Sequence, residues 1–392
     1  MKKMFLLFIC LFICGCQKND ELVDKHIVLL NEKIEVYSDT YLYDLFNVFD
    51  IKLESKNNLI NTKKLGLNST IVEYVFDNHS YNYKIEYEVV DTTPPKYLGG
   101  TNKTILVNYA GDLCNLILHG DNYDKDVTCE IEGNYDLSKA GKYNVIYHYK
   151  DSSNNTTSAN VTLNVVNKLS SSKPASNKKN NFSDILKKYK NDNTEVGIDI
   201  SKWQGEIDFN KVKEDGATFV IMRIGAQGEA GGELYIDKYF KDNIKKAKEA
   251  GLKVGVYLYS IATTSTEAEE QAMWVINTLD GVKLDLPVVF DWENWHKWNE
   301  YSLSFYDINN ICDVFLKTIE HYGYDGMLYS SKFYLENIWD TSMDYPVWLA
   351  HYTNETNYSG KYLIWQMSNT GRIDGINGDV DINVMYKEDS FE

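Results

Sequence analysis

Four acids stand where apolar runs end: Asp199 in Gly197-Ile-Asp-Ile-Ser201, Asp291 and Glu293 in Val288-Val-Phe-Asp-Trp-Glu-Asn294, and Asp381 in Gly378-Asp-Val-Asp-Ile-Asn383. Placing carboxylates beside a buried strand is costly, so a pair one residue apart calls for a use. On an extended chain Asp291 and Glu293 point to one side and Trp292 to the other, where it is expected to pack behind the acids. Two close carboxylates repel when both are ionised, so one is favoured to keep its proton near neutrality. Glu293, further out and with the longer arm, is the expected proton donor. Asp291 is the expected ionised partner that steadies developing positive charge. An isolated D-x-E pattern also fits a solvated strand end or a metal site; the apolar lead-in and two further strand-end acids favour catalysis.

No competing chemistry is visible. The chain has no phosphate-cradling glycine loop, serine elbow or cysteine–histidine arrangement. Its seven histidines are scattered without metal-ligand spacing, so neither a metal nor a cofactor is expected. The net charge is −17. Up to residue 192 there are 24 acids against 23 lysines, and from 193 onward 33 acids against 17 basic residues. An acidic C-terminal half without a basic patch argues against nucleic acid as a partner.

The elements that must position the acids lie between residues 193 and 388. Eight strand-like runs are legible: Val196–Ile200, Thr218–Ile224, Val254–Ser260, Leu286–Asp291, Gly326–Ser330, Val347–Ala350, Leu363–Gln366 and Val380–Asn383. Helical stripes separate the early ones: Ile236, Phe240, Ile244 and Ala247; then Ala268, Ala272, Val275 and Leu279 behind a Thr/Ser cap cluster; then Ile308, Ile311, Phe315 and Ile319. The last three strands are joined by polar gaps too short for regular crossover helices. The fold expected is an α/β, TIM-like eight-stranded barrel with helices only between its first five strands. Such barrels gather reactive groups at the C-terminal strand ends, and closure sets the first and last strands side by side. All eight tryptophans follow residue 190. Flat apolar faces beside polar groups suit sugar rings. Trp203, Trp348 and Trp365 are read as site residues, Trp274 and Trp339 as core.

Upstream, residues 26–91 and 92–167 read as two all-β blocks. Tyr81, Tyr83, Ile85, Tyr87 and Val89 share one face of a strand, and Tyr143, Val145, Tyr147 and Tyr149 share another. Short strands with turn punctuation suggest sandwiches. Cys114 and Cys129 are candidates for a disulfide whose loop of about 15 residues is worth roughly 3 kcal/mol in the chain-entropy model. Cys312, on an apolar helix face, reads as a small buried residue. Residues 168–192, rich in Lys, Ser and Asn, are expected to form a flexible linker. Lys2 and Lys3 precede ten apolar residues, Met4 to Ile13, which is a leader too short to span a bilayer.

Three resemblances add to this. Ile13-Cys14-Gly15-Cys16 resembles a bacterial lipobox, which implies a signal peptide at 1–15, lipid on Cys16, a tether at 16–25 and an extracytoplasmic, membrane-anchored protein. The second β-block resembles bacterial Ig-like repeats through Asp91-Thr-Thr-Pro-Pro95, the run Ala140–Asn155 and the strand Ala159–Val166. The barrel resembles glycoside hydrolase family 25, the Chalaropsis-type lysozymes. The likeness is carried by Val196–Gly205, Phe219–Gly225, Asp242–Ser260, Leu286–Asn294, Tyr345–Tyr352 and Tyr362–Asn383, six motifs in order.

That resemblance implies hydrolysis of the β-1,4 bond between N-acetylmuramic acid and N-acetylglucosamine in peptidoglycan. Glu293 matches the family's acid/base, and Asp291 the partner that orients the substrate 2-acetamido group. Asp199 and Asp381 match two further active-site acids, with Asp379 an alternative two residues earlier. Tyr257, Tyr259, Trp348, Tyr352, Trp365 and Gln366 fall in motifs lining a sugar groove. Arg223 falls in a matching motif, with a structural role and a binding role both open. The expected protein is a monomer acting on glycan strands. The alternatives are a glycosidase of another acetamido-sugar polymer, such as chitin, and a non-catalytic wall-binding lipoprotein.

Overall fold

The computed structural model describes residues 27–30, 33–48, 52–53, 58–170, 179–228 and 232–387. The expected leader, Cys16 and residues 171–178 of the expected linker lie outside them. The chain divides into two compact units, one ending at Thr93 and including Ser153–Asn155, the other comprising Pro94–Ser152 and everything from Thr156.

The first unit is built on a four-stranded sheet whose long hairpin joins Gly66–Phe76 to His79–Val90. Asp77 and Asn78 both take positive φ, the two-residue turn that matches the twist of paired strands. Alternation buries Val72 and Tyr74 on one strand and Ile85, Tyr87 and Val89 on the other.

In the second unit, Asn102–Leu106, Thr128–Glu132, Gly141–Lys150 and Thr156–Val166 form a four-stranded sheet. Val145, Tyr147 and Tyr149 pack with Ala159, Val161, Leu163 and Val165. Cys114 and Cys129 are disulfide-bonded. A small ribbon of Lys96–Leu98 and Leu118–Gly120 leaves this sheet for the barrel, and Leu98 is a member of the barrel's own core.

The barrel has eight strands in ring order: Thr194–Ile200, Phe219–Gln227, Lys253–Ser260, Val288–Trp292, Gly326–Ser331, Val347–Ala350, Ile364–Arg372 and Val380–Tyr386. The first seven run parallel. The eighth is antiparallel to both the seventh and the first and closes the ring. Its direction follows from the connection: seven residues, 373–379, cannot make the crossover a parallel neighbour needs. Helices Phe209–Glu214, Phe240–Glu249, Ser265–Leu279 and Phe305–His321 follow the first four strands, and a short turn of helix, Lys332–Asn337, follows the fifth. Thr264 and Ser304 cap two of them by accepting from the backbone N–H groups of Glu267 and Asp307. The interior holds Phe219, Ile221, Val289, Met327, Trp348, Ile364 and Met385.

The expected linker ends earlier than its composition indicated. Asn180–Asn181 pairs with the seventh barrel strand, and Phe182–Tyr189 is a helix whose Phe182 is fully buried. Phe182, Ile185, Leu186 and Tyr189, spaced three, one and three, present one apolar side that outweighs the surrounding lysines.

Candidate active site

The C-terminal ends of the seven parallel strands and the N-terminal end of the reversed eighth, where Asp381 lies, surround a cleft of about 270 Å³. Its walls include Asp199, Ser201, Trp203, Gln204, Arg223, Tyr257, Tyr259, Asp291, Glu293, Tyr329, Trp348, Tyr352, Gln366 and Asp381. The four acids foreseen from strand ends therefore share one cavity. Asp199 and Asp381 are direct register partners across the antiparallel seam. Asp379 lies elsewhere, held by Lys179 at 2.6 Å and Arg372 at 2.8 Å.

A continuous hydrogen-bond network fixes the deeper pair. Asp199 Oδ2 accepts from Gln366 Nε2 at 2.9 Å and from Asn383 Nδ2 at 2.8 Å. Gln366 Oε1 in turn accepts from the Tyr329 hydroxyl at 2.8 Å and the Tyr352 hydroxyl at 3.1 Å. Asn383 Oδ1 accepts from Trp348 Nε1 at 2.8 Å. Five strands are thereby locked to one carboxylate. Burial raises the Asp381 carboxyl most, followed by the charge of Asp199 and their mutual hydrogen bond. Asp199 is raised by burial too, but the Asn383, Gln366 and Asp381 donors oppose that rise. The proton therefore resides on Asp381, which donates to Asp199.

Asp291 is buried, and its Oδ1 has no hydrogen-bond partner among the described residues. Burial pushes its carboxyl well above the usual range; Glu293 and Asp199 add to the rise, and Arg223 opposes it. Glu293 stands exposed at the mouth. Desolvation and the charge of Asp199 raise it, and the neighbouring Tyr329 hydroxyl opposes that rise. Repulsion within the pair is thus present as the spacing predicts. Burial raises both carboxyls of the pair, so in the open cleft the pair tends to hold a proton near neutrality.

Arg223 is committed to a buried ion pair: its Nε and Nη2 donate to Asp237 Oδ2 at 2.8 and 2.6 Å. The same oxygen accepts from the Lys202 backbone at 2.9 Å and so anchors the turn that carries Trp203. Trp203 is 77% exposed at the rim, with Lys202 Nζ 5.0 Å from its ring centroid. Trp348 lines the floor, its ring 4.7 Å from that of Tyr329. Trp365 is not part of the cleft. Strand alternation turns Gln366 inward and Trp365 outward, where its Nε1 donates to the His351 carbonyl and its ring meets Tyr189 edge-on. Trp292 likewise faces away from the acids, with Nε1 donating to the Ala262 carbonyl at 3.0 Å.

Sequence reasoning missed Tyr329, Asn383 and Asp237. Period two would have found the first two, since Tyr329 shares a face with Met327, and Asn383 with Asp381. Asp237 gives no local signal, because its importance comes from Arg223 on a neighbouring segment.

A closed barrel whose mouth holds four mutually perturbing acids is a scaffold for acid/base chemistry. Residues 198–376 match the model of glycosyl hydrolases family 25, and the chain belongs to that family. It is 33% identical over 189 residues to the autolytic lysozyme of Clostridium acetobutylicum, a match covering 48% of this chain and 54% of that protein. It is 33% identical over 192 residues to the uncharacterized protein YegX of Escherichia coli, covering 48% of this chain and 68% of that one. A family 25 glycosyl hydrolase from Bacillus anthracis superposes with a TM-score of 0.44 at 25% identity, over 52% of this chain and 93% of that chain. The chain thus spans about half the length of the autolytic lysozyme it matches.

Proposed function

We propose that the protein is a peptidoglycan hydrolase, an N-acetylmuramidase that cleaves the β-1,4 bond between N-acetylmuramic acid and N-acetylglucosamine. The observation that carries this reading is the bare, buried Oδ1 of Asp291 beside the exposed Glu293. An acetamido N–H of the bound sugar supplies the missing donor to Asp291 and favours its ionised form. The ring that delivers this donor also covers Glu293 and removes it from water. Substrate binding therefore favours the proton of the pair on Glu293, the donor expected from the sequence.

Glu293 then gives that proton to the glycosidic oxygen as the bond to the anomeric carbon breaks. The acetamido carbonyl oxygen attacks the anomeric carbon, oriented by Asp291. Water opens the resulting ring, losing its proton to Glu293; this is one of the exceptions to the two-carboxylate mechanism. The Asp199–Asp381 pair, carrying one charge rather than two, keeps the far wall from overloading the cleft with negative charge.

The remaining parts of the reading concern placement. The two β-rich regions are Ig-like modules, the catalytic fold is a TIM-like variant, and lipid on Cys16 tethers a monomer to the outer face of the cell membrane, where it remodels or lyses wall. The catalytic proposal is tested by digesting purified peptidoglycan and identifying the new reducing ends. N-acetylmuramic acid ends from the wild type, and a loss of at least about a thousandfold with Glu293→Gln, are expected. Equal release by both proteins would sink the assignment.

A further inference from the structure

The loop closed by Cys114–Cys129 bonds at several points to the segment following Glu293. The His119 carbonyl accepts from Trp298 Nε1 at 2.9 Å, and the Ile117 carbonyl from Asn299 Nδ2 at 3.1 Å. Asn299 Oδ1 accepts from the His119 backbone at 3.3 Å, and the Asp121 carbonyl accepts from the Phe305 backbone at 2.7 Å. Asp126 Oδ1 accepts from the Ser302 hydroxyl at 2.9 Å. Gly120 leaves no room between the two parts: a Cβ there would stand 2.9 Å from Phe305 and 3.1 Å from Trp298 Nε1.

This contact leads directly to the paired acids. Trp298 stacks on Phe305 and sets its edge against Trp292, 6.1 Å between centroids, while Trp295 meets Trp292 at 4.6 Å. Trp292 is the residue between Asp291 and Glu293, and Trp295 donates its backbone N–H to the Glu293 carbonyl at 2.7 Å. Ser302 holds a left-handed φ of 48°, a conformation that costs on the order of 1 kcal/mol and persists only where surroundings impose it. Here the Asp126 bond and the buried neighbours Trp298 and Leu303 impose it.

We infer that the disulfide-closed loop 114–129 is a brace for the catalytic strand end, with Trp298 as the positioning residue that carries its effect to Glu293. The β-block is then part of the catalytic machinery's support, and its role is not that of a spacer. The inference deepens the muramidase reading and rests on it for its kinetic consequence. The bare Oδ1 of Asp291 and the mouth position of Glu293 leave the pair's geometry dependent on backbone support, because little side-chain bonding holds it.

The test uses the full chain carrying Gly120→Ala or Trp298→Phe, with Glu130→Ala on the exposed side of the same block as control. Amide exchange over residues 293–303 reads the brace; steady-state kinetics on soluble glycan fragments read its coupling to chemistry. Both variants are expected to speed exchange in that segment about tenfold and to lower kcat roughly tenfold with KM within about twofold. The pH-rate limb set by Glu293 should shift with them, and the control should match wild type. Unchanged exchange over 293–303 in both variants overturns the brace. Faster exchange with wild-type kcat and pH profile overturns the positioning role. Should the wild type cleave no glycan, the muramidase reading fails separately, and the exchange measurement still decides the brace.

Discussion

Asp381 meets Asp199 across the seam where the first and eighth strands pair, and one proton serves both. The Asp381 carboxyl is lifted from its ordinary 3.8 to about 9 in the folded protein. The unfolded chain gives up that proton near pH 4, whereas the folded chain keeps it until alkaline pH. Stability from this site is therefore complete at low pH and declines as pH rises through that window. Asp381→Asn cannot ionise and still offers an amide donor to Asp199. Its thermal midpoint should match wild type near pH 4 and exceed it near pH 9; parallel curves at both would refute the shared proton. At the rim, Trp203→Ala should raise KM several-fold, because its exposed ring lines the cleft where a sugar face can stack. Trp365→Phe should leave KM unchanged, being outside the cleft; a comparable rise in KM for both would return Trp365 to the site. Asp199, Asp291 and Glu293 were readable because they stand toward the ends of apolar runs, whereas Asp381 opens the reversed eighth strand. Trp365 misled because an aromatic beside a polar motif resembles a sugar platform, although counting alternation back from Gln366 turns it outward. Asp237 was unreadable for a different reason: a buried counter-ion is defined by its partner, and Arg223 lies on another segment.

At the scale of elements, the helix Phe182–Tyr189 shows how composition can hide a pattern. Lysines and asparagines around it read as solvated chain, yet four apolar residues at helical spacing are enough to anchor it. Phe182 is fully buried against the barrel, so Phe182→Ala should cost about 3–5 kcal/mol of barrel stability. Denaturant titration checks this. A loss under about 1 kcal/mol would mean the helix is only laid on the surface. The eight strands were legible because each apolar run is set off from the next, the early ones by helical stripes and the last three by polar gaps. The reversed eighth strand was legible in principle from its seven-residue connection, but only if connection length is weighed against the parallel expectation. Trp292 followed from alternation alone, since a strand leaves a side chain only two directions.

The larger unit joins two blocks that the sequence presents as separate, the second β-block and the barrel. Leu98, from the β-block, sits in the barrel's core, and the ribbon that carries it bonds to the segment after Glu293 largely through backbone carbonyls. Carbonyls carry no residue identity, so no reading of composition or spacing reveals such docking; Gly120 is its one sequence trace, and a lone glycine is ambiguous. A shared core has a thermodynamic consequence, because elements that bury the same side chains unfold together. The Cys114–Cys129 link closes a loop of 15 residues, worth roughly 3 kcal/mol through the unfolded state. If the β-block and barrel were independent, Cys114→Ser with Cys129→Ser would lower the β-block's transition and leave the barrel's in place. With Leu98 shared and Phe305 held by Asp121, the loss should instead appear in the barrel's own transition. Tryptophan fluorescence isolates that transition, because all eight tryptophans belong to the barrel sequence. The double variant is therefore expected to melt several degrees lower by tryptophan signal, with reductant producing the same shift in the wild type. A tryptophan transition that stays put while far-ultraviolet dichroism reveals a new, earlier one would show that the two parts fold alone.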